Sequence, residues 1–393
     1  MTYLTRAQAM KDKLITIRRD LHSHPELGFQ EVRTAHRITD TLHDLGIEYE
    51  TGIAKTGVVA YLGEGEPRIA LRADMDALPI LEANNVEYKS ENTGVMHACG
   101  HDAHVTCLLG ATMMLNEDFK QGKLKGSIKL LFQPAEEIGG GDITSGGELM
   151  VQAGALNDVQ AVVGMHVIST LPSGEFFVRE GAFMAAVDTF EGEIIGVGGH
   201  GAYPHEAIDP IWLAAQVINA IHGIVSRRVD PTKQGVISVC IINAGTATNI
   251  IPGSAFLSGT IRSFDESVRA QLHADLDKAF SIARTLGGDY KCKIIRGYPA
   301  TVNDANMTEF VRGMATGLIG EEHVHEAELQ MGAEDFSYMA RAKPGAFFYL
   351  GAKKDEKHRP HHNAVFDIDE NVLPTGAALM AEAARKYLAD RAK

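Results

Sequence analysis

The chain is poor in cysteine, in net positive charge and in long apolar runs. Its four cysteines, Cys99, Cys107, Cys240 and Cys292, are scattered through 393 residues, too few for a disulfide framework. A reducing, cytoplasmic home is therefore expected. Lysine and arginine total 37 against 51 aspartates and glutamates, a net charge of −14. That balance argues against a nucleic-acid partner, which would need a basic face, and against docking on anionic lipid. No uncharged apolar window reaches the ~18 residues of a membrane span. The opening residues, MTYLTRAQAMKDKLITIRRD, lack the apolar core of a signal peptide and read as an amphipathic helix. Internal repeats and low-complexity tracts are missing too. What remains is an ordinary globular composition, 45% apolar and 22% charged, which excludes global disorder. Seventeen histidines are present, several beside Asp, Glu or Cys.

Residues 5–45 read as two helices split by a turn around His24-Pro25. Apolar strands follow at 57–62, 68–72, 127–132 and 161–166, with helical patterns at 102–117 and 146–155. Short apolar runs separated by helices predict an α/β unit with helices on both sheet faces. The middle differs. Residues 188–197 read as a strand, 209–226 as a helix, and 235–243 and 255–263 as strands. A helix over 265–286, capped by Asp265 and stopped by Gly287, precedes a last strand at 290–296. The order β-α-β-β-α-β is that of a ferredoxin-like sandwich. Helix and strand patterns resume at 306–319, 345–351 and 371–389. The expected architecture is an α/β unit of residues 1–181 and 298–393, interrupted by an α+β unit of residues 182–297.

Four segments end an apolar strand, or follow one, with potential metal ligands. They are Asp74-Met75-Asp76, Cys99-Gly100-His101-Asp102-Ala103-His104, Glu136-Glu137 and His166. In open α/β sheets ligands bind beyond the carboxyl ends of strands, and thiolate, imidazole and carboxylate all bind Zn²⁺-like ions. Cys-x-His brings two ligands close, with Gly100 permitting the turn. His104, one helical turn after His101, is expected to pack behind it. Adjacent ionised carboxylates repel, so Glu136-Glu137 calls for a cation. Read as extended chain, the pair points to opposite sides, one carboxylate for metal and one as general base. The run Gly139-Gly140-Gly141 follows. Asp74 and Asp76 alternate, so they share a strand face where one can orient a metal-bound histidine; Asp76 is taken with the catalytic group. His361-His362-Asn363, in a loop after Pro360, offers a final ligand. Cys99 and Cys107 form no Cys-x-x-Cys pair, which sets a redox role aside. Together the segments predict a polynuclear hydrolytic site.

The segments RRDLHSHPELGFQE, LRADMDALP, MHACGHDAH, FQPAEE, GMHV, GGHGAYPH, NIIPGSAFLSGTIRSF, GAEDF and HHNAVFDIDE occur in this order along nearly the whole chain. In them the sequence resembles the dinuclear-metal amidohydrolases: hippurate hydrolase, N-acyl-amino-acid amidohydrolases and plant auxin–amino acid conjugate hydrolases. Aminoacylase and glutamate carboxypeptidase are more distant relatives. The resemblance implies a zinc-peptidase-like catalytic domain with a mostly parallel central sheet, interrupted by a ferredoxin-like lid and dimerisation domain. It implies metal ligands at Cys99, His101, Glu137, His166 and His362, with Glu136 as the general base. It further implies that His200 meets the substrate carbonyl, often across a dimer, and that Asn249 and Arg262 hold the substrate carboxylate. The cofactors implied are two divalent ions per subunit, Mn or Zn, with Co or Ni as alternatives. The substrate implied is a small N-acyl-L-amino acid, with a dipeptidase or carboxypeptidase as the alternative activity. The assembly implied is a homodimer through the lid, with a tetramer as the alternative. The distant relatives have Asp at Cys99 and His at Asp74, so Asp74 is not carried over as a ligand. The thiolate of Cys99 favours softer ions than a carboxylate would.

Overall fold

The computed structural model describes residues 1–139 and 143–391; Gly140 and Gly141 of the glycine run, and the last two residues, lie outside that span. Its centre is an eight-stranded sheet. Strands Gly126–Gln133, Arg68–Asp74, Ala161–Ile168 and Gly345–Gly351 lie side by side and parallel. Their sequences, GSIKLLFQ, RIALRAD, AVVGMHVI and GAFFYLG, are nearly continuous buried runs, as strands covered on both faces must be. On one side the sheet continues antiparallel through Gly57–Glu64 and Glu48–Ile53. On the other, Phe176–Val178 adds antiparallel and pairs in parallel with Val324–Glu326. Helix His101–Lys120 is buried along most of its length, packed on the sheet, on Lys11–Ser23 and on the C-terminal helix Leu373–Arg391.

Between Ala186 and Arg296 the chain builds a second sheet with its own core. Strands Gly235–Ala244, Ser254–Ser263, Ala186–Ile195 and Asp289–Arg296 stand in that order, all antiparallel. Burial alternates along Ala186–Ile195, the mark of a sheet with one covered face. Helices Pro210–Arg228 and Glu266–Thr285 cover that face over Phe190, Ile194, Leu213, Val217, Leu257, Leu272 and Phe280. Asp209 caps the first helix by accepting from the Ile211 and Trp212 amides, and Asp265 caps the second through Ser267 and Val268. Strand Gly181–Met184 pairs with Thr301–Asn303, so the chain leaves the large sheet and returns to it side by side.

Some local expectations differ. Residues 5–45 lie in three helices, Tyr3–Ala9, Lys11–Ser23 and Val32–Leu45, because the backbone also leaves helical geometry at Met10. The strand expected over 188–197 ends at Ile195, since Gly196 turns so close to Ile208 that a Cβ would stand 2.1 Å from its carbonyl oxygen. Strand Glu48–Ile53 is polar and largely exposed, and helix Phe336–Ala342 has seven residues, so neither carries a periodic signal. Among the described residues no helix is long and apolar enough to cross a membrane, and all four cysteines are free.

Candidate metal and catalytic site

Three of the parallel strands end together, and the chain beyond their C-terminal ends carries the site. Arg68–Asp74 leads to Asp76, Gly126–Gln133 to Glu136 and Glu137, and Ala161–Ile168 carries His166. Cys99 and His101 enter at the start of helix His101–Lys120. There Gly100 takes φ +90°, and a Cβ on it would stand 2.5 Å from Val167 Cγ2. The loop before the C-terminal helix adds His361 and His362. His362 has φ +57°, a left-handed turn that sends the two adjacent rings to different partners.

Cys99 Sγ lies 3.3 Å from His166 Nε2 and 3.6 Å from His361 Nδ1. His362 Nε2 lies 3.0 Å from Glu137 Oε1, and His101 Nε2 lies 3.9 Å from the same oxygen. The rings are held from behind. His101 Nδ1 donates to Asp76 Oδ1 at 3.2 Å and His166 Nδ1 to the Val167 carbonyl at 2.7 Å, which turns both Nε2 lone pairs inward. Asp76 also accepts from the amides of Glu136 and Glu137, each at 3.0 Å. One carboxylate therefore sets His101 and both glutamates. His104 has no free nitrogen: it donates to Asp74 Oδ1 at 2.5 Å and accepts from the Val167 amide at 2.9 Å.

The glutamate pair departs from the extended geometry expected of it. Ala135 stands at φ +48° and the chain bends through Glu136 and Glu137, so both carboxylates approach His101 instead of facing apart. Glu136 is 6% exposed. Its Oε1 accepts from the Asp335 amide at 3.2 Å, and the Tyr298 hydroxyl donates to its main-chain carbonyl. Burial, then the charges of Glu334, Glu137 and Asp335, push its carboxyl well above the usual range. Beneath it the buried Arg72 donates to Gln133 at 2.8 Å, Asp74 at 2.6 Å, Glu334 at 2.9 Å and Asp335 at 3.0 Å.

A cavity of about 480 Å³ opens over Cys99, Glu136, Glu137, His166, His361 and His362. Arg262 lines it from the second sheet. It is half-buried, donates to Thr260 Oγ1 at 3.0 Å and to the Met331 carbonyl at 3.4 Å, and has no carboxylate partner among the described residues. His200 and Asn249 do not line the cavity. Both are exposed, at the short ladder of Gly199–His200 with Ile250–Ile251.

A family model described as peptidase family M20/M25/M40 matches residues 70–386. Thermostable carboxypeptidase 2 of Saccharolobus solfataricus is 43% identical over 387 residues, covering 96% of each chain. The chain belongs to peptidase family M20/M25/M40. IAA-amino acid hydrolase ILR1-like 2 of Arabidopsis thaliana is 39% identical, covering 97% of this chain and 86% of that one. The solved YXEP protein of Bacillus subtilis, described as a dinuclear metal binding peptidase from the M20 family, has a TM-score of 0.83 at 36% identity. That match covers 97% of this chain and 99% of that one. Membership makes the chain a hydrolase of amide bonds.

In this M20 chain the donor set fits divalent metal. His101 Nε2 is buried without a hydrogen-bond partner among the described residues and lies 3.9 Å from Glu137 Oε1. That is near the separation of two donors that hold one ion at about 2.0–2.2 Å each. Burial opposes charge on His101, yet Asp74, Asp76 and Glu137 raise its ring to about 10. Burial, then Glu137, Glu136 and Asp74, push the Cys99 thiol up. A niche this rich in negative charge binds protons or cations, and the inward lone pairs suit cations. His361 is the residue whose place the sequence leaves open. The His361-His362 doublet is visible there, but the turn that aims one ring at Cys99 and the other at Glu137 is not.

Proposed function

We propose that the chain hydrolyses N-acyl-L-amino acids, with N-acetyl or aromatic acyl groups such as that of hippurate, to a carboxylic acid and a free amino acid. The observation that carries this reading is Arg262, a guanidinium without a carboxylate partner among the described residues, lining the same cavity as Glu136 and the donor cluster. Such a cavity can hold an anion and a reacting amide together. Cys99, His101, Glu137, His166 and His362 would hold two divalent ions, Mn or Zn, with Co or Ni as alternatives. When bound, these supply Lewis acidity and lower the pKa of water. Glu136 takes the proton of the attacking water and returns it to the leaving nitrogen. Asp76 keeps His101 and Glu136 in register. Arg262 clamps the substrate carboxylate through two parallel N–H bonds.

Residues 182–297 act as the lid in this proposal. His200 and Asn249 reach the substrate either when the lid closes or from a second copy of the chain. A homodimer is supported by the exposed Val197, Tyr203, Trp212, Ile241, Ile242 and Ile250. Ile241 and Ile242 lie on the unpaired edge strand Gly235–Ala244 and Trp212 at the start of the helix packed against it, and an apolar sheet edge is a template for pairing. A cytoplasmic setting belongs to the same proposal, supported by the four free thiols.

A carboxypeptidase or dipeptidase activity is the second reading, favoured by the 43% identity to the Saccharolobus solfataricus carboxypeptidase. Both substrate types present an amide near a free carboxylate. Metal analysis of the purified protein, followed by hydrolysis of hippurate, N-acetyl-amino acids, dipeptides and their C-terminal amides, separates them. N-acyl-amino acids should be cleaved fastest and the neutral amides poorly. A preference for dipeptides would replace the first reading by the second. Indifference to the free carboxylate would end both.

A further inference from the structure

The segment RRDLHSHPELGFQE, residues 18–31, holds none of the candidate ligands and lines no part of the cavity, yet it touches three of the five segments that carry the site. Arg18 Nε forms an ion pair with Asp102 Oδ2 at 2.9 Å, and His22 Nδ1 donates to the same oxygen at 2.7 Å, next to His101. The Glu26 carbonyl accepts from the Ala77 amide at 2.8 Å, next to Asp76. Glu31 Oε1 accepts from the Ala135 amide at 2.8 Å, next to Glu136.

Glu31 is the member with no other task. It sits at the start of helix Val32–Leu45 but caps nothing, because Glu26 already accepts from the Arg33 and Thr34 amides at 3.0 and 2.8 Å. It is fully buried, its Oε2 accepts from Thr56 Oγ1 at 2.6 Å, and no cation pairs with it among the described residues. A buried carboxyl without a cation is costly, and a leucine would fill the same space. What leucine would leave is the amide of Ala135 unpaired, at a residue whose φ of +48° is strained for any side chain. The rest of that bend is held elsewhere: Gly146 donates to the Ala135 carbonyl at 3.0 Å, Asp76 takes the next two amides, and Tyr298 donates to the Glu136 carbonyl.

We propose that Glu31 is a positioning residue for the reaction: by accepting the Ala135 amide it holds the left-handed bend that aims Glu136 into the cavity. The inference rests on Glu136 being the base. Burial raises the Glu31 carboxyl to about 7. The acceptor role needs only an oxygen lone pair, which the protonated and ionised forms both offer.

The test compares Glu31→Leu, which removes the acceptor, with Glu31→Gln, which keeps an oxygen for Ala135, both as metal-loaded enzyme on an N-acyl-amino acid. Glu31→Leu should lower kcat about 10- to 100-fold, with KM and bound metal within about twofold of wild type. Glu31→Gln should stay within about threefold of wild type, since the hydrogen bond is kept. Equal kcat in the two variants, high or low, overturns the proposal. So does loss of metal from Glu31→Leu, which would make the ligands its target and not the base. Should Glu31→Leu fail to fold, Gly28→Ala presses on the same bend with Glu31 intact. A Cβ at Gly28 would stand 3.1 Å from Ala135 Cα and 2.6 Å from Ile138 Cδ1. A fall in kcat of about tenfold at unchanged KM then supports the proposal, and an unchanged kcat overturns it. Glu136→Gln, run alongside, separates the two readings. If it keeps its rate, the base assignment fails and the positioning role with it. If it is inactive while Glu31→Leu is normal, only the positioning role fails.

Discussion

On the large sheet the candidate ligands are fixed from behind: His101 by Asp76, His166 by the Val167 carbonyl, and the main chain of Glu136 and Glu137 by Asp76. On the small sheet His200 and Asn249 are exposed, and Thr260 is the single side-chain partner of Arg262 among the described residues. The first arrangement is complete when the chain has folded. In the function proposed above, the second leaves its residues to be ordered by a substrate, by closure or by another copy. A site that must bind cations before it binds substrate gains from rigid donors. A site that must admit and release a product gains from a cover that is not rigid.

Substitutions on the two sides should therefore fail differently, and the largest effect belongs to the rigid side. Glu136→Gln should lower kcat about 10²- to 10⁴-fold while bound metal stays at the wild-type level, because the amide keeps the shape and loses the proton acceptor. Metal analysis and kcat on the same preparation check this, and retention of more than about a tenth of the activity would sink the base assignment. On the small-sheet side, Arg262→Ala should cost about 2–4 kcal/mol of transition-state binding, roughly 30- to 1,000-fold in kcat/KM, without change in metal. The loss should vanish for a substrate whose carboxylate is replaced by an amide. Measured as a double-mutant cycle, additive losses would mean that Arg262 and the carboxylate never meet.

The same division shows in what could be read before the fold was known. Local signals were legible: the buried runs of the parallel strands, the β-α-β-β-α-β order of the middle, and the Asp209 and Asp265 caps all stand in neighbouring residues. So were the segments that meet at the cavity, since Cys99, Glu136, Glu137 and His166 each lie near a strand end or a helix start. The bend at Ala135 was not legible. Nothing in an alanine announces a positive φ; Glu31, Asp76 and Tyr298 impose it from three distant segments. The grouping of Arg72 with Glu334 and Asp335 beneath Glu136 was hidden for the same reason, although GAEDF was visible as a motif. The exposure of His200 and Asn249 belongs to a further class, because the role proposed for them depends on a conformation or a partner that one folded chain does not supply.

The smallest expected effect sharpens the rigid half of the comparison. Glu31 is fully buried, and burial raises its carboxyl from the ordinary value near 4.5 to about 7. Between those two values the folded chain keeps a proton that the unfolded chain has released. The group's contribution to stability is therefore full below about pH 4.5 and declines as the pH rises toward 7. At about 1.4 kcal/mol for each pH unit crossed, the decline is on the order of 3 kcal/mol. Glu31→Gln has no proton to lose, so its stability relative to wild type should improve steadily from pH 4.5 to 7 and then level off. Denaturant unfolding of both proteins at several pH values, with metal present throughout, measures that difference. A constant difference would mean that Glu31 ionises as it does in water. The bend at Ala135 would then be open to solvent, and the large sheet would not hold the rigid, closed half of the site that separates it from the small one.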